Sequence, residues 1–362
     1  MIDKPKPARR SLVLALSLML LVAVLPATVA AGEGHTLAVV ATIDLGPNPD
    51  ATAFALAVNP KTNRTYITPG VEALPTGCES HTVSVIDNST NTVLAPITTG
   101  LSPWGVAVNP KTNKIYVTNL GGGICTDESS NVVSVIDGST DAVEKSIALN
   151  GIGPAFVAVN PKTNKIYVAI NGGCCASDHR VAVIDGSTDA VVRYVDVDFD
   201  PFIVAVSPRQ NLVYVTHAGV DKITVIDGST DTVQATFSIG SEARGIAFDP
   251  NGKFVYVAAR NTNQLAVVAS TTNAVVQTIP VGLRPHGVVF NPENRRIYVT
   301  NRGGCTSTPG TVSAIDSDTM TVVATVQVGI CPRFLDVNRD TGLLYVPNAS
   351  TSRSVSVIRD GG

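Results

Sequence analysis

An internal repeat constrains the fold of this chain more than any other feature of the sequence. Seven of the eight tyrosines occupy one place in successive copies of a segment that reads Asn-Pro-Lys-Thr-Asn-Lys-Ile-Tyr-Val-Thr in the second copy. These tyrosines are Tyr66, Tyr116, Tyr167, Tyr214, Tyr256, Tyr298 and Tyr345. Neighbouring tyrosines are 42 to 51 residues apart. A self-similar segment at this period predicts a repeat architecture.

Each copy reads as four short strands, which we label A to D. In the second copy they are predicted at 105–108, 114–118, 132–137 and about 142–148. β-branched residues and hydrophobic alternation favour strands over helices, and the Asn-Pro and Gly-Ser-Thr-Asp segments are typical of turns. Four strands in a repeat of this length predict an all-β, seven-bladed β-propeller with four-stranded antiparallel blades.

The two ends of the chain complement each other. The seventh copy ends after its third strand, at about residue 359, whereas residues 39–46 (VVATIDLG) resemble the fourth strand of the sixth copy at 322–329 (VVATVQVG). We therefore expect a 3+1 closure in which the N-terminal strand completes blade seven. Such a closure removes the sheet edges that would otherwise promote aggregation.

The repeat carries a recognisable signature, since Tyr116–Asn119 and Tyr298–Asn301 both spell Tyr-Val-Thr-Asn. Over about residues 37–359 the chain resembles the YVTN-family β-propellers, including YncE-like members. The resemblance implies an exported propeller of the periplasmic, secreted or surface-layer type. It implies no reaction, because the signature builds blades and a fold does not determine a function.

Residues 1–31 have the composition of a signal peptide, followed by a single domain over 32–362. Lys4, Lys6, Arg9 and Arg10 precede an apolar run at Leu12–Leu25, and small residues follow at 27–32. The run is short for a transmembrane helix, which needs about 20 residues. We expect a secreted, periplasmic or cell-surface protein. An uncleaved anchor and either general or twin-arginine export stay open.

Cysteine placement predicts disulfide bonds on one face. The loop between strands B and C takes up all the insertions, and five of the six cysteines lie there: Cys78, Cys125, Cys174, Cys175 and Cys305. Cys331 lies in the D–A loop that leads into blade seven. The B–C and D–A loops share a face, so Cys305–Cys331 is the expected pair, and the other pairings stay open. Metal binding through Cys78 with His81, or Cys175 with His179, is the less favoured alternative, and we expect no metal.

Each D–A loop places one residue at the predicted mouth of the central channel. In chain order these are Phe54, Trp104, Ala155, Phe202, Arg244, His286 and Arg333. Aromatic residues come from blades one, two and four, and cationic or titratable ones from blades five to seven. This half-aromatic, half-cationic set predicts a site for an anionic, partly apolar ligand or a polymer. The alternative is that these side chains simply plug the channel.

Catalytic motifs are absent from the sequence, and the net charge of −3 argues against nucleic acid as a partner. The sequence therefore predicts a monomeric, non-enzymatic binding propeller without a cofactor or catalytic residue. Its expected partner is an envelope or extracellular protein, a glycan or a polymer. Two alternatives stay open: a lyase- or lactonase-like enzyme using Arg244, His286 and Arg333, and a self-assembling surface protein. For the enzyme, the sequence shows no obvious carboxylate.

Overall fold

The computed structural model of the protein describes residues 35–46, 53–70, 80–120, 131–172, 179–349 and 353–362. These residues form 29 β-strands and no helix. Accordingly, the described part of the chain contains no helix of the length and apolarity needed to cross a membrane. The predicted signal peptide at 1–31 lies outside the described residues, so its cleavage stays a prediction.

The strands form seven antiparallel sheets whose strands run from the channel outward as A to D, and six of these sheets are built from consecutive strands. Blade one contains β2 (Ala55–Asn59), β3 (Arg64–Thr68), β4 (Thr82–Asp87), and an outer strand in two pieces, β5 (Thr92–Val93) and β6 (Ile97–Thr98). Blade two contains β7 (Pro103–Asn109), β8 (Lys114–Asn119), β9 (Val132–Asp137) and β10 (Ala142–Ala148). Blade three contains β11 (Pro154–Asn160), β12 (Lys165–Ile170), β13 (Arg180–Asp185) and β14 (Ala190–Asp196).

The next three blades repeat the same order. Blade four contains β15 (Pro201–Ser207), β16 (Leu212–His217), β17 (Lys222–Asp227) and β18 (Thr232–Ser238). Blade five contains β19 (Ala243–Phe248), β20 (Phe254–Ala259), β21 (Gln264–Ala269) and β22 (Ala274–Pro280). Blade six contains β23 (Pro285–Asn291), β24 (Arg296–Asn301), β25 (Pro309–Asp316) and β26 (Thr321–Ile330).

Blade seven is assembled from both ends of the chain, as the sequence predicts. It contains β27 (Asp336–Val337), β28 (Leu344–Asn348), β29 (Ser354–Asp360) and, as its outer strand, β1 (Leu37–Asp44). Strand β1 pairs with β29 in antiparallel register from Leu37 opposite Asp360 to Asp44 opposite Ser354. The predicted fold class and its 3+1 closure are confirmed.

The repeated tyrosines link neighbouring blades. In the first three copies the hydroxyl donates to an aspartate in the C–D turn of the next blade: Tyr66 to Asp141 at 2.7 Å, Tyr116 to Asp189 at 2.9 Å and Tyr167 to Asp231 at 3.1 Å. Each aspartate adopts a left-handed backbone (φ 58°, 50° and 52°), which aspartate tolerates better than most residues. The Gly-Ser-Thr-Asp turn therefore supplies an inter-blade acceptor as well as a turn.

A second link joins blades at the A–B turns. The turn asparagine of one blade donates to the left-handed asparagine of the next, for example Asn59 Nδ2 to Asn113 Oδ1 at 2.8 Å. Across the closure, Asn338 Nδ2 of blade seven donates to Asn63 Oδ1 of blade one at 2.7 Å. Blade seven thus reaches blade one through side chains as well as through its composite sheet.

Replacing one linked tyrosine tests the inter-blade contact. Tyr116→Phe removes the donor to Asp189 and leaves that buried carboxylate short of one hydrogen bond, so we expect a loss of about 1–2 kcal/mol in the free energy of unfolding. Tyr214→Phe is the matched control, because the Tyr214 hydroxyl is buried with no hydrogen-bond partner among the described residues. That control should be neutral. Denaturant unfolding measures both, and equal losses would contradict the assignment.

Burial of the seven tyrosines also predicts alkaline sensitivity. Desolvation raises the pKa of every one of them, for Tyr214 and Tyr345 to about 12. Unfolded tyrosines ionise at about pH 10, so above that pH the unfolded chain binds fewer protons than the folded one. The free energy of unfolding should then fall as pH rises. Tyrosinate absorbance should appear together with unfolding; ionisation within a fully folded protein would contradict this.

Candidate functional site

The central channel is closed at the face where the D–A loops lie. Five aromatic rings fill it, and we call them the aromatic plug: Phe54, Trp104, Phe156, Phe202 and Phe334. Their ring centroids are 4.5 Å apart for Phe54 with Trp104, 5.2 Å for Phe156 with Phe202 and 4.5 Å for Phe156 with Phe334. Such tilted and edge-on ring contacts add specific stabilisation to the apolar burial.

The six residues predicted to form a channel mouth do come together, but in a buried arrangement. Phe54, Trp104 and Phe202 belong to the plug, and His286 and Arg333 are 1% and 3% exposed. Arg244 is less deeply buried, with 12% of its side chain exposed. These residues therefore do not form an open funnel at this face. The aromatic ones plug the channel, as the alternative prediction has it. Whether these residues bind a ligand stays a prediction.

Two rings of the plug, Phe156 and Phe334, were missed from the sequence. They directly follow Ala155 and Arg333, the residues that the repeat predicted at the channel. In blade three strand A is irregular between Pro154 and Val157, so counting cannot tell which residue there faces the channel. In blade two the same second position is Gly105, where a Cβ would lie 2.8 Å from the Ala155 carbonyl oxygen. Only some copies can place a large side chain there.

The cationic residues pack onto the plug. The Arg244 guanidinium lies 4.8 Å from the Phe202 ring centroid, and the Arg333 guanidinium lies 5.2 Å from that of Phe54. The His286 ring meets Phe334 edge-on at 4.6 Å. Desolvated cation–π contacts of this kind are worth about 2 kcal/mol each. The plug therefore also positions the charged groups.

A carboxylate that the sequence analysis overlooked joins this group. Glu242 Oε1 accepts hydrogen bonds from Arg244 Nη2 and from Arg260 Nη1, the latter at 3.1 Å. Burial raises the pKa of Glu242, but the two guanidinium charges outweigh it and leave the pKa below its usual value. Glu242 is thus an ionised anchor for two arginines. Glu242 directly precedes β19, two residues before Arg244, and this proximity was the available signal.

His286 lies among four arginines, which we call the guanidinium cluster: Arg244, Arg260, Arg302 and Arg333. Burial first, and then these charges, lower the pKa of His286 well below its ordinary value. The imidazole is therefore neutral at physiological pH. Its Nε2 lies 3.5 Å from Arg333 Nη1, and its Nδ1 is buried with no hydrogen-bond partner among the described residues.

A second carboxylate, Asp200, lies on the D–A loop of blade four and has the opposite environment. Burial raises its pKa, and His179 and Arg244 only partly offset this effect. The backbone N–H of Asp200 donates to His179 Nδ1 at 3.3 Å. The positive charge of Arg244 lowers the pKa of both Asp200 and His286. The pKa of Asp200 is therefore raised whereas that of Glu242 is lowered, and environments that separate two carboxyl groups in this way occur at acid–base sites.

The predicted disulfide braces this region. Cys305 and Cys331 form a bond with a Cα–Cα distance of 4.5 Å, which confirms the pairing. Arg302 Nε donates to both sulfurs, at 2.7 Å and 3.1 Å. The bridge therefore ties the B–C loop of blade six to the D–A loop that carries Arg333.

The remaining cysteine predictions concern Cys78, Cys125, Cys174 and Cys175, which lie outside the described residues. Within the described ranges, no three His, Cys, Asp or Glu side chains converge as metal ligands would. His81 and His179 are both described, but the cysteines predicted to accompany them are not. The pairing of these four thiols stays open.

Comparison with known proteins now decides the family. The sequence model described as "Lactonase, 7-bladed beta-propeller" matches residues 94–361, well over half of the chain. The chain belongs to this lactonase propeller family. Membership of the family contradicts the expectation that the protein is not an enzyme, because the family is described as one of lactonases. The narrower resemblance of this lactonase propeller to YVTN proteins stays a prediction.

Two further comparisons concern relatives of known identity. A search of the curated proteins finds no match. Among solved structures, hydrazine synthase from Kuenenia stuttgartiensis is similar, with a TM-score of 0.70 and 22% sequence identity over 85% of this chain and 96% of that one. At this identity the likeness to hydrazine synthase extends to the fold alone.

The Glu242 anchor predicts an electrostatic contribution to stability. Glu242→Gln keeps the shape of the side chain but removes the negative charge that Arg244 and Arg260 share, so we expect a loss of roughly 2–3 kcal/mol in the free energy of unfolding. Glu144→Gln is the control, because its bridge to Lys114 involves a side chain that is 36% exposed. Exposed pairs contribute under about 1 kcal/mol. Denaturant unfolding compares the two; similar small losses would contradict the anchoring role.

Proposed function

We propose that this protein hydrolyses small lactones that carry an anionic group, at the site formed by His286, Asp200 and the guanidinium cluster. The observation that carries the proposal is the neutral, buried imidazole of His286 among arginines, in a chain of the lactonase propeller family. This enzymatic alternative now replaces the non-enzymatic reading as our hypothesis. The predicted export signal further suggests that the reaction takes place outside the cytoplasm.

The tautomer of His286 follows from its neighbour. A guanidinium can only donate hydrogen bonds, so the lone pair of the neutral ring faces Arg333 at Nε2 and the hydrogen is on Nδ1. An Nδ1–H group with no described partner is suited to donate to the carbonyl oxygen of a bound lactone. The donor would strengthen as negative charge develops on that oxygen.

The two carboxylates then take separate roles. Glu242 is held ionised by Arg244 and Arg260, and it positions these arginines toward an anionic substituent of the substrate. Asp200, with its raised pKa, is the better general base. It would accept a proton from water as the water oxygen bonds to the carbonyl carbon and the oxyanion forms at His286. When the ring C–O bond breaks, Asp200 returns the proton to the alkoxide, and a hydroxy acid leaves.

The arginines are the more exposed part of this site. Arg260 and Arg244 keep 21% and 12% of their side chains exposed, whereas His286 is almost fully buried. An anionic group would therefore meet the two arginines first and orient the lactone ring inward. Fixed orientation of this kind supplies a large part of enzymatic rate enhancement.

Hydrolysis of a lactone panel tests the proposal. The purified protein is followed by pH-stat titration with sugar-acid lactones bearing a phosphate, a carboxylate or no charge. We expect turnover of the anionic ones. His286→Leu should lower kcat/KM by roughly 10²–10³-fold, because it removes a donor to the oxyanion. His286→Asn should restore part of the rate, because its amide nitrogen lies close to the position of Nδ1.

Controls separate catalysis from folding. His35→Asn removes an imidazole that contacts Arg296, at the start of strand B of blade six on the opposite face, and should leave kcat unchanged. Asp200→Asn should lower kcat more than it changes KM, and the wild-type rate should fall as pH drops through the raised pKa of Asp200. No hydrolysis of any lactone, or a folded His286→Leu variant of wild-type rate, would refute the proposal.

A further inference from the structure

The opposite end of the central channel is open and forms a cavity of about 670 Å³. The later halves of the A strands and the A–B turns line it, mainly with alanine and valine side chains such as Ala107, Val108, Ala158 and Val159. The aromatic plug closes the channel above it, so this cavity is distinct from the site around His286. Its volume falls in the range of about 300–1,000 Å³ that small-molecule sites occupy.

The rim of this cavity is a nearly complete ring of prolines. Six blades contribute the proline of their A–B turn: Pro60, Pro110, Pro161, Pro208, Pro250 and Pro292. Blade seven has Arg339 at this place instead. Proline lacks a donor and has a fixed φ, so these six residues make the rim rigid and largely apolar, and Arg209 of blade four and Asp249 of blade five add charges beside it.

Blade seven also breaks the pattern of the wall. Two residues before the turn asparagine or its equivalent, the other six blades carry a small apolar side chain: Ala57, Ala107, Ala158, Ala205, Ala247 and Val289. Blade seven carries Asp336 there, and Asp336 lines the cavity. A carboxylate in an apolar wall is costly unless it has partners. The substitution therefore needs a reason that the other six blades do not share.

Contacts within the protein use part of the hydrogen-bonding capacity of the Asp336 carboxylate. Its Oδ2 accepts the backbone N–H of Val58 at 2.9 Å, and its Oδ1 accepts the backbone N–H of Val337 at 2.8 Å. A carboxylate offers about four acceptor positions. Asp336 is only partly buried where it lines the cavity, but desolvation still raises its pKa, and the two backbone donors and the charge of Arg339 only partly offset this effect. The channel side of this carboxylate can thus accept a further donor.

We infer that this cavity binds an organic cation with an aliphatic body, whose ammonium group pairs with Asp336 while its carbon chain packs against the alanine and valine wall. An anion would place like charge beside Asp336, and a neutral alkane would offer no donor to its remaining acceptor positions. An alkylammonium ion satisfies both the charge and the apolar surface. This second site goes beyond the proposed lactone hydrolysis and is independent of it.

Calorimetric titration of the purified protein with three matched probes tests the inference: hexylammonium, hexanoate and hexan-1-ol. Each has six carbons, and they differ in the charge of the head group. We expect hexylammonium to bind about tenfold or more tightly than either of the others, which is the usual range for a charge-assisted contact. Equal affinities, preference for hexanoate, or no binding of hexylammonium would overturn the site.

Variants that restore the repeat make the test specific. Asp336→Ala installs the residue that five other blades carry and should remove the preference for hexylammonium. If Asp336→Ala does not fold, Asp336→Asn takes its place in the test, because the amide oxygen still accepts a hydrogen bond but carries no charge. Arg339→Pro completes the proline ring and should retain binding. Retained preference in a folded Asp336→Ala or Asp336→Asn protein would refute the role of Asp336, whatever the outcome for lactone hydrolysis.

Discussion

Closure of the ring through the pairing of β1 with β29 is the constraint on which the rest of this structure depends. A propeller left open would expose two sheet edges and would not enclose a channel. Closure also brings together residues from opposite ends of the chain: the rings of Phe54 and Phe334 lie 5.8 Å apart, and the Arg333 guanidinium lies over Phe54. The contacts of Phe334 and Arg333 with Phe54 therefore depend on closure of the ring.

The plug divides one channel into two chemically different ends. On the D–A loop face, rings exclude water and place arginines against an imidazole, so charges there act in a poorly solvated environment. This explains why His286 is neutral while Glu242 stays ionised and the pKa of Asp200 rises. On the A–B turn face, the same strands present small apolar side chains and leave open space. One scaffold thus offers a polar site and an apolar cavity without any change of fold.

Residues that depart from the repeat lie where the protein has features other than blade structure. Tyrosines, turn asparagines and turn aspartates recur, and several interfaces between blades use them as hydrogen-bond donors and acceptors. Asp336 and Arg339 break this regularity in blade seven, whereas Glu242 and Arg260 break it in blade five. None of these four residues is required by strand pairing. They contribute instead to the charged site and to the cavity at the two ends of the channel.

Counting along the sequence determined the seven blades, the turn positions, the 3+1 closure and the Cys305–Cys331 pair, because a repeat imposes the same local geometry on every copy. It also placed the six D–A loop residues on one face. Their burial, the inclusion of Phe156 and Phe334, and the meeting of Glu242 with Arg260 were decided only by tertiary structure. These outcomes depend on the irregularity within each A strand and on contacts between blades, since a residue one position away can face the channel or the neighbouring blade. The period specifies where a loop lies, but packing across blades decides which side chain of that loop meets which partner.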